Sequence, residues 1–270
     1  MSRYFIDTEF LEGSQKEPFP ISLFRKKTKP TIDLISIALV SEDNREYYAI
    51  SKDFNLKEAW NRHDIKRTKT ENNPYKDYWI RENVLKSIWR ELRVKEVEEY
   101  NIAKNRNVVL DFPTYIFTYE SLKRLINKYG KTNKQIVQEI KDFVAEKDRT
   151  STTIFKYKTE YKFKDVQFYG YYADYDWVAF CWLFGKMIDL PNGFPMFAFD
   201  LKQTMDEKVM LLMEKENQSR IFHKIKLFSF DEALESFKTR KDYPKQTNEH
   251  NALSDSRFVR DLYYFLNNKT

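Results

Sequence analysis

At 270 residues the chain is long enough to bury a sizeable core, and one α/β domain with insertions is favoured over two smaller domains. One cysteine, Cys181, excludes a disulfide framework and a cysteine-based zinc site within the chain, and no apolar run approaches the roughly 20 residues that span a bilayer, so a cytoplasmic protein with no membrane partner is expected. The net charge of +6 favours an anionic partner, and the 17% of aromatic residues, interleaved with cations in the stretch YKTEYKF (157–163), suits single-stranded nucleic acid, although most rings in any chain fill cores and strands.

Residues 3–10, RYFIDTEF, read as a first strand in which Asp7 and Glu9, two positions apart, project from the same face. Two carboxylates held side by side repel, so either one keeps a proton or a cation sits between them. Residues 11–30 are rich in breakers and carry the basic cluster Arg25, Lys26, Lys27 and Lys29, a loop or arm outside the sheet. Residues 31–40 and 46–51 flank the polar turn SEDNR and predict a hairpin. A helix is expected over 56–62, a polar insertion over 64–75, and a helix over 79–92 with Trp79, Val84, Leu85, Ile88 and Leu92 facing inward. Residues 93–113 show no clean period. Helices follow at 119–129 and 133–145, separated by Gly130 and capped by Thr132 or Asn133.

The stretch 166–185, VQFYGYYADYDWVAFCWLFG, reads as a strand followed by a buried helix that starts at Asp176 and contains Cys181. An acid at such a junction is aimed at the end of the sheet, where α/β sites form, and it is equally a common helix cap; Asp174 competes for the position. After a turn and the short apolar run 196–199, helices are expected over 207–225 and over 230–237, the latter capped by Ser229 or Asp231. In the closing stretch, EHNALSDSRFVRDLYYFL, His250 precedes Asp255 by five residues at the start of an amphipathic helix.

An acid pair on a first strand, an acid at a strand-helix junction and a histidine before a helical acid, in that order, resemble the DEDDh branch of the DEDD superfamily of 3′-to-5′ exonucleases. Within it the chain is most similar to the compact bacterial family of polyadenylate-specific 3′-exoribonucleases, through YFIDTEF, LISIALV, REYYAIS, WIRENVL, YDWVAFCWLFG, DLP, DLKQ and HNALSD. The resemblance implies an α/β, ribonuclease-H-like mixed sheet flanked by helices, as one domain with insertions near 11–30, 60–76, 93–131 and 206–225. It selects Asp176 over Asp174. Asp7, Glu9, Asp176 and Asp255 are then expected to bind two Mg²⁺ ions, with Mn²⁺ as a substitute, because hard oxygen donors suit both. His250 becomes the general base, so that nucleoside 5′-monophosphates leave from the 3′ end of single-stranded RNA tails or overhangs. Thr8, Phe10 and Trp177, beside the acids, are candidates for touching substrate. A DNA exonuclease on the same scaffold and a nucleic-acid-binding protein without turnover are the rival readings, and a homodimer is expected only because the family tends that way.

Overall fold

The computed structural model describes residues 2–16, 20–24, 27–67, 73–106, 108–113, 115–155, 158–164 and 166–267. Arg25, Lys26 and Tyr157, from the basic arm and the interleaved stretch, lie outside them. The expected α/β class is found. Strands β1 (Ser2–Gly13), β2 (Thr31–Ser41) and β3 (Glu46–Ile50) form an antiparallel meander. After two small hairpins, β4 (Asp64–Lys66) with β5 (Tyr75–Asp77) and β6 (Arg149–Phe155) with β7 (Lys158–Phe163), come β8 (Val166–Gly170) and the two-residue β9 (Phe199–Asp200). Both of these add parallel to the meander, giving a mixed sheet in the order β3-β2-β1-β8-β9 that suits a ribonuclease-H-like fold.

The helices are α1 (Leu56–Asn61), α2 (Lys86–Asn105), α3 (Tyr119–Tyr129), α4 (Asn133–Asp148), α5 (Asp174–Phe184), α6 (Leu201–Phe222), α7 (Phe230–Lys238) and α8 (Ala252–Asn267). Among the described residues, no helix is long and apolar enough to cross a membrane. The alternation of β1 decides which helices cover which face. Tyr4 and Ile6 join Ile136, Ile140 and Val144 of α4 and Ala179 and Phe180 of α5 in one core. On the opposite face Phe5 packs with Leu201 of α6, Ala233 of α7 and Val259 and Leu262 of α8, whereas Leu11 packs with Leu85 and with Ile88 of α2 and Leu122 of α3. Asp7 and Glu9 share that second face and fall between its two apolar clusters.

Several expectations change here. Residues 93–105 continue α2, their period obscured because one buried contact on that stretch is ionic: Glu96 accepts hydrogen bonds from both terminal guanidinium nitrogens, Nη1 and Nη2, of Arg124 on α3. At the ends of the segment read as a polar insertion over 64–75, Asp64–Lys66 form β4, which pairs with β5 (Tyr75–Asp77). Helix α6 begins at Leu201, six residues before the expected start, because Asp200 caps it by accepting the Lys202 N–H at 2.7 Å. Trp79 does not face the core. It precedes a wide π-helical turn, Ile80–Leu85, that sets its side chain out of line with the buried Val84, Leu85, Ile88 and Leu92, and 41% of its surface is exposed.

Candidate functional site

Strand β1 outlasts its parallel neighbour. Pairing between β1 and β8 runs only from Ser2 to Phe5, because β8 ends at Gly170 and the chain turns into α5. A Cβ on Gly170 would lie 2.7 Å from that of Ala173, so this tight turn requires glycine. The turn delivers Asp176, in the first turn of α5, to the unpaired end of β1. There the Asp176 Oδ1 accepts the Thr8 backbone N–H at 2.9 Å and the Thr8 hydroxyl at 2.6 Å, so the carboxylate takes over where the strand partner stops. Asp176 is therefore not the helix cap, a position held by Ala173, and Asp174 is exposed.

Asp255 comes from the other side. Asn251 caps α8, accepting the Ser254 N–H at 3.1 Å, and Asp255 lies one turn in with both oxygens engaged. Its Oδ1 accepts from Gln246 Nε2 at 2.7 Å and its Oδ2 from the His250 backbone N–H at 2.8 Å. His250 turns that N–H inward by adopting a left-handed backbone, φ 65°, which a non-glycine residue occupies at some cost. Its ring lies edge to face with Trp79, centroids 4.6 Å apart.

One cleft of about 620 Å³ holds all of these groups: Asp7, Glu9, Asp176 and Asp255 line it together with His250, Thr8 and Phe10. One ligand oxygen each of Asp7, Glu9 and Asp255 lies within 4.8 Å of the other two. The electrostatic consequence is large. Burial and then repulsion from Asp176, Glu9 and Asp255 hold the Asp7 carboxyl well above the usual range. Burial, followed by repulsion from Asp255 and Asp176, pushes Glu9 up to about 8. Burial raises Asp176 to about 7 even against the two bonds from Thr8, and it raises Asp255 against its bonds from Gln246 and His250. Without a counter-charge the cluster holds protons near neutral pH, and a hard divalent cation is the group that an all-oxygen set of this kind accommodates.

Of the residues expected to touch substrate, Phe10 lines the cleft and meets the Tyr175 ring edge to face at 5.7 Å. Thr8 lines it too, buried, its side chain committed to Asp176. Trp177 does not. The residue is 8% exposed, and its ring stacks on Phe180 at 5.0 Å, contacts Phe168 and donates its indole N–H to the Met196 carbonyl, so it belongs to the core. Gln246 leaves no signal in the sequence, since a lone glutamine in a polar loop carries no motif.

Fold and cleft together define an α/β protein with a buried carboxylate cluster at the end of a ribonuclease-H-like sheet. No protein-family model matches the chain. Over 206 residues it is 24% identical to 3′-5′ exoribonuclease Rv2179c of Mycobacterium tuberculosis (strain ATCC 25618 / H37Rv), which covers 76% of this chain and 75% of that protein. The same figures hold for 3′-5′ exoribonuclease MT2234.1 of Mycobacterium tuberculosis (strain CDC 1551 / Oshkosh).

Proposed function

We propose that the protein is a metal-dependent 3′-to-5′ exoribonuclease of the DEDDh type, acting on single-stranded RNA tails or overhangs and releasing nucleoside 5′-monophosphates. The observation that carries this reading is the convergence of Asp7, Glu9 and Asp255 oxygens within 4.8 Å in a cleft that Asp176 and His250 also line. The names of the two mycobacterial relatives support the activity and the choice of RNA.

Asp7, Glu9, Asp176 and Asp255 are the residues that would hold two Mg²⁺ or Mn²⁺ ions. Bound there, the cations would supply Lewis-acid polarisation of the scissile phosphate and charge for the departing 3′ oxygen. The protein's own residues do the rest. His250 takes the proton of the attacking water. Asp255, through its bond to the His250 N–H, fixes the backbone that carries the base, and Gln246 keeps that carboxylate from rotating. Thr8 does the same for Asp176.

Matched 3′-labelled single strands of RNA and DNA, incubated with Mg²⁺ and separately with EDTA, test the proposal. Mononucleotides released from RNA only when the cation is present are the expected result. Faster loss of the DNA overturns the choice of RNA, and no release from either strand with Mg²⁺ or Mn²⁺ overturns the enzyme.

A further inference from the structure

Resting on the reading of His250 as the base, we infer that Glu91, in the second turn of α2 and outside the cleft, is a positioning residue for His250 that acts through Asn251.

Asn251 directly follows His250 and is buried. The two ends of its planar amide have separate tasks. Its Oδ1 accepts the Ser254 N–H at 3.1 Å and so caps α8, and its Nδ2 donates to Glu91 Oε2 at 3.2 Å. A carboxylate only accepts, so Glu91 takes the NH₂ end and leaves the oxygen for the helix. Turned over, the amide would set its NH₂ against the Ser254 N–H, and both bonds would be lost. The Asn251 carbonyl is engaged as well, accepting the Asp255 N–H at 2.9 Å, while Asp255 accepts the His250 N–H. Together these bonds fix the residue after His250, and with it the left-handed backbone, φ 65°, that His250 adopts against its steric preference.

Glu91 can serve as a fixed point because its helix is anchored independently of α8. Ile88, Trp89 and Leu92 beside it are buried in a cluster that contains no residue of α8, and Lys95, one turn further on, lies 3.9 Å from its other oxygen. The chain leading into α2 reaches the same histidine: Trp79, which lines the cleft, meets the His250 ring edge to face at 4.6 Å. The segment 79–91 therefore holds His250 twice, at its ring through Trp79 and at its backbone through Asn251. The Glu91 bond does not involve a carboxylate oxygen of the cluster, since Asp255 is engaged by Gln246 and His250. What Glu91 controls is thus the base and not the cation site.

Glu91 variants made in the wild-type and in the His250→Ala backgrounds test the inference. Glu91→Ala should lower kcat on 3′-labelled single-stranded RNA roughly 10- to 100-fold, the usual loss when the partner that orients an active-site group is removed. KM and the rise in melting temperature produced by Mn²⁺ should not change. Glu91→Gln keeps an oxygen for Asn251 and should recover most of the rate. In the His250→Ala background Glu91→Ala should have little further effect, because the group it positions is already gone. A merely structural role predicts the same fold-loss in both backgrounds; that result, or wild-type kcat in Glu91→Ala, would overturn the inference. Should the wild type release no nucleotides, the exonuclease reading falls separately, and the hold of Glu91 on His250 is then judged from imidazole proton signals. The chain has three histidines, so comparison with His250→Ala identifies the signals of His250. Glu91→Ala should shift them, as the ring leaves its place beside Trp79, and leave those of His63 and His223 unmoved. His250 signals that stay where they are in the wild type would overturn the inference.

Discussion

The two halves of β1 are built for opposite purposes. Tyr4, Phe5 and Ile6 have no exposed surface and bind the strand into cores on both faces of the sheet. The next residues, from Asp7 to Phe10, bring two acids into a cleft with two more. What the contrast teaches is a division of labour within one strand. Like charges that would separate in solution are kept together because the apolar half and its parallel neighbour do not yield, and the strain appears as carboxyls that hold protons at unusually high pH.

If that division holds, changes in the two regions should fail in different assays. The largest effect expected is on turnover: His250→Ala should lower kcat about 10²- to 10⁴-fold while metal binding and the melting temperature change little, and full activity in that variant would show that the base is misassigned. Phe5→Ala removes a fully buried ring and should cost about 3–5 kcal/mol in denaturant unfolding. Any protein that still folds should keep its kcat, so a large fall in kcat among folded molecules would blur the distinction between the halves. Gln246→Ala frees one oxygen of Asp255 and should weaken activity or cation affinity roughly 10- to 100-fold, with a modest loss of stability. The smallest effect is expected at Asp174→Ala, where the side chain is exposed: within about 0.5 kcal/mol in stability and no change in rate.

Much of the framework was visible in the chain itself. The alternation of RYFIDTEF placed Asp7 and Glu9 on one face, and the hairpin that follows, α3, α7 and the closing helix all declared themselves through period and caps. The order of acids and His250 foretold which residues share the cleft. What escaped was set by contacts between distant segments. The Glu96–Arg124 pair buries an acid where a periodicity search wants an apolar residue, and the choice between Trp79 and Trp177 depends on a π-helical turn and on Met196, neither of which leaves a local mark. Gln246 acts only because the loop before α8 folds back on Asp255.

The central claim is that the clustered carboxylates are a cation site whose occupancy competes with protons, and thermal unfolding at two pH values tests it most directly. Glu9 titrates at about 8 and Asp176 at about 7 in the fold, against roughly 4 for unfolded carboxyls. Between these values the native state binds more protons than the unfolded one, so the cluster's contribution without cation is fully present below pH 4 and is lost as pH rises through 7 to 8. A divalent cation replaces those protons, and its stabilising effect should grow over the same interval. Mn²⁺ should therefore raise the melting temperature of the wild type more at pH 8.5 than at pH 5.5, and Asp7→Asn should abolish most of that response while being the more stable protein in EDTA at pH 8.5. A melting temperature indifferent to Mn²⁺ at both pH values, or an Asp7→Asn variant that responds as the wild type does, would contradict the account.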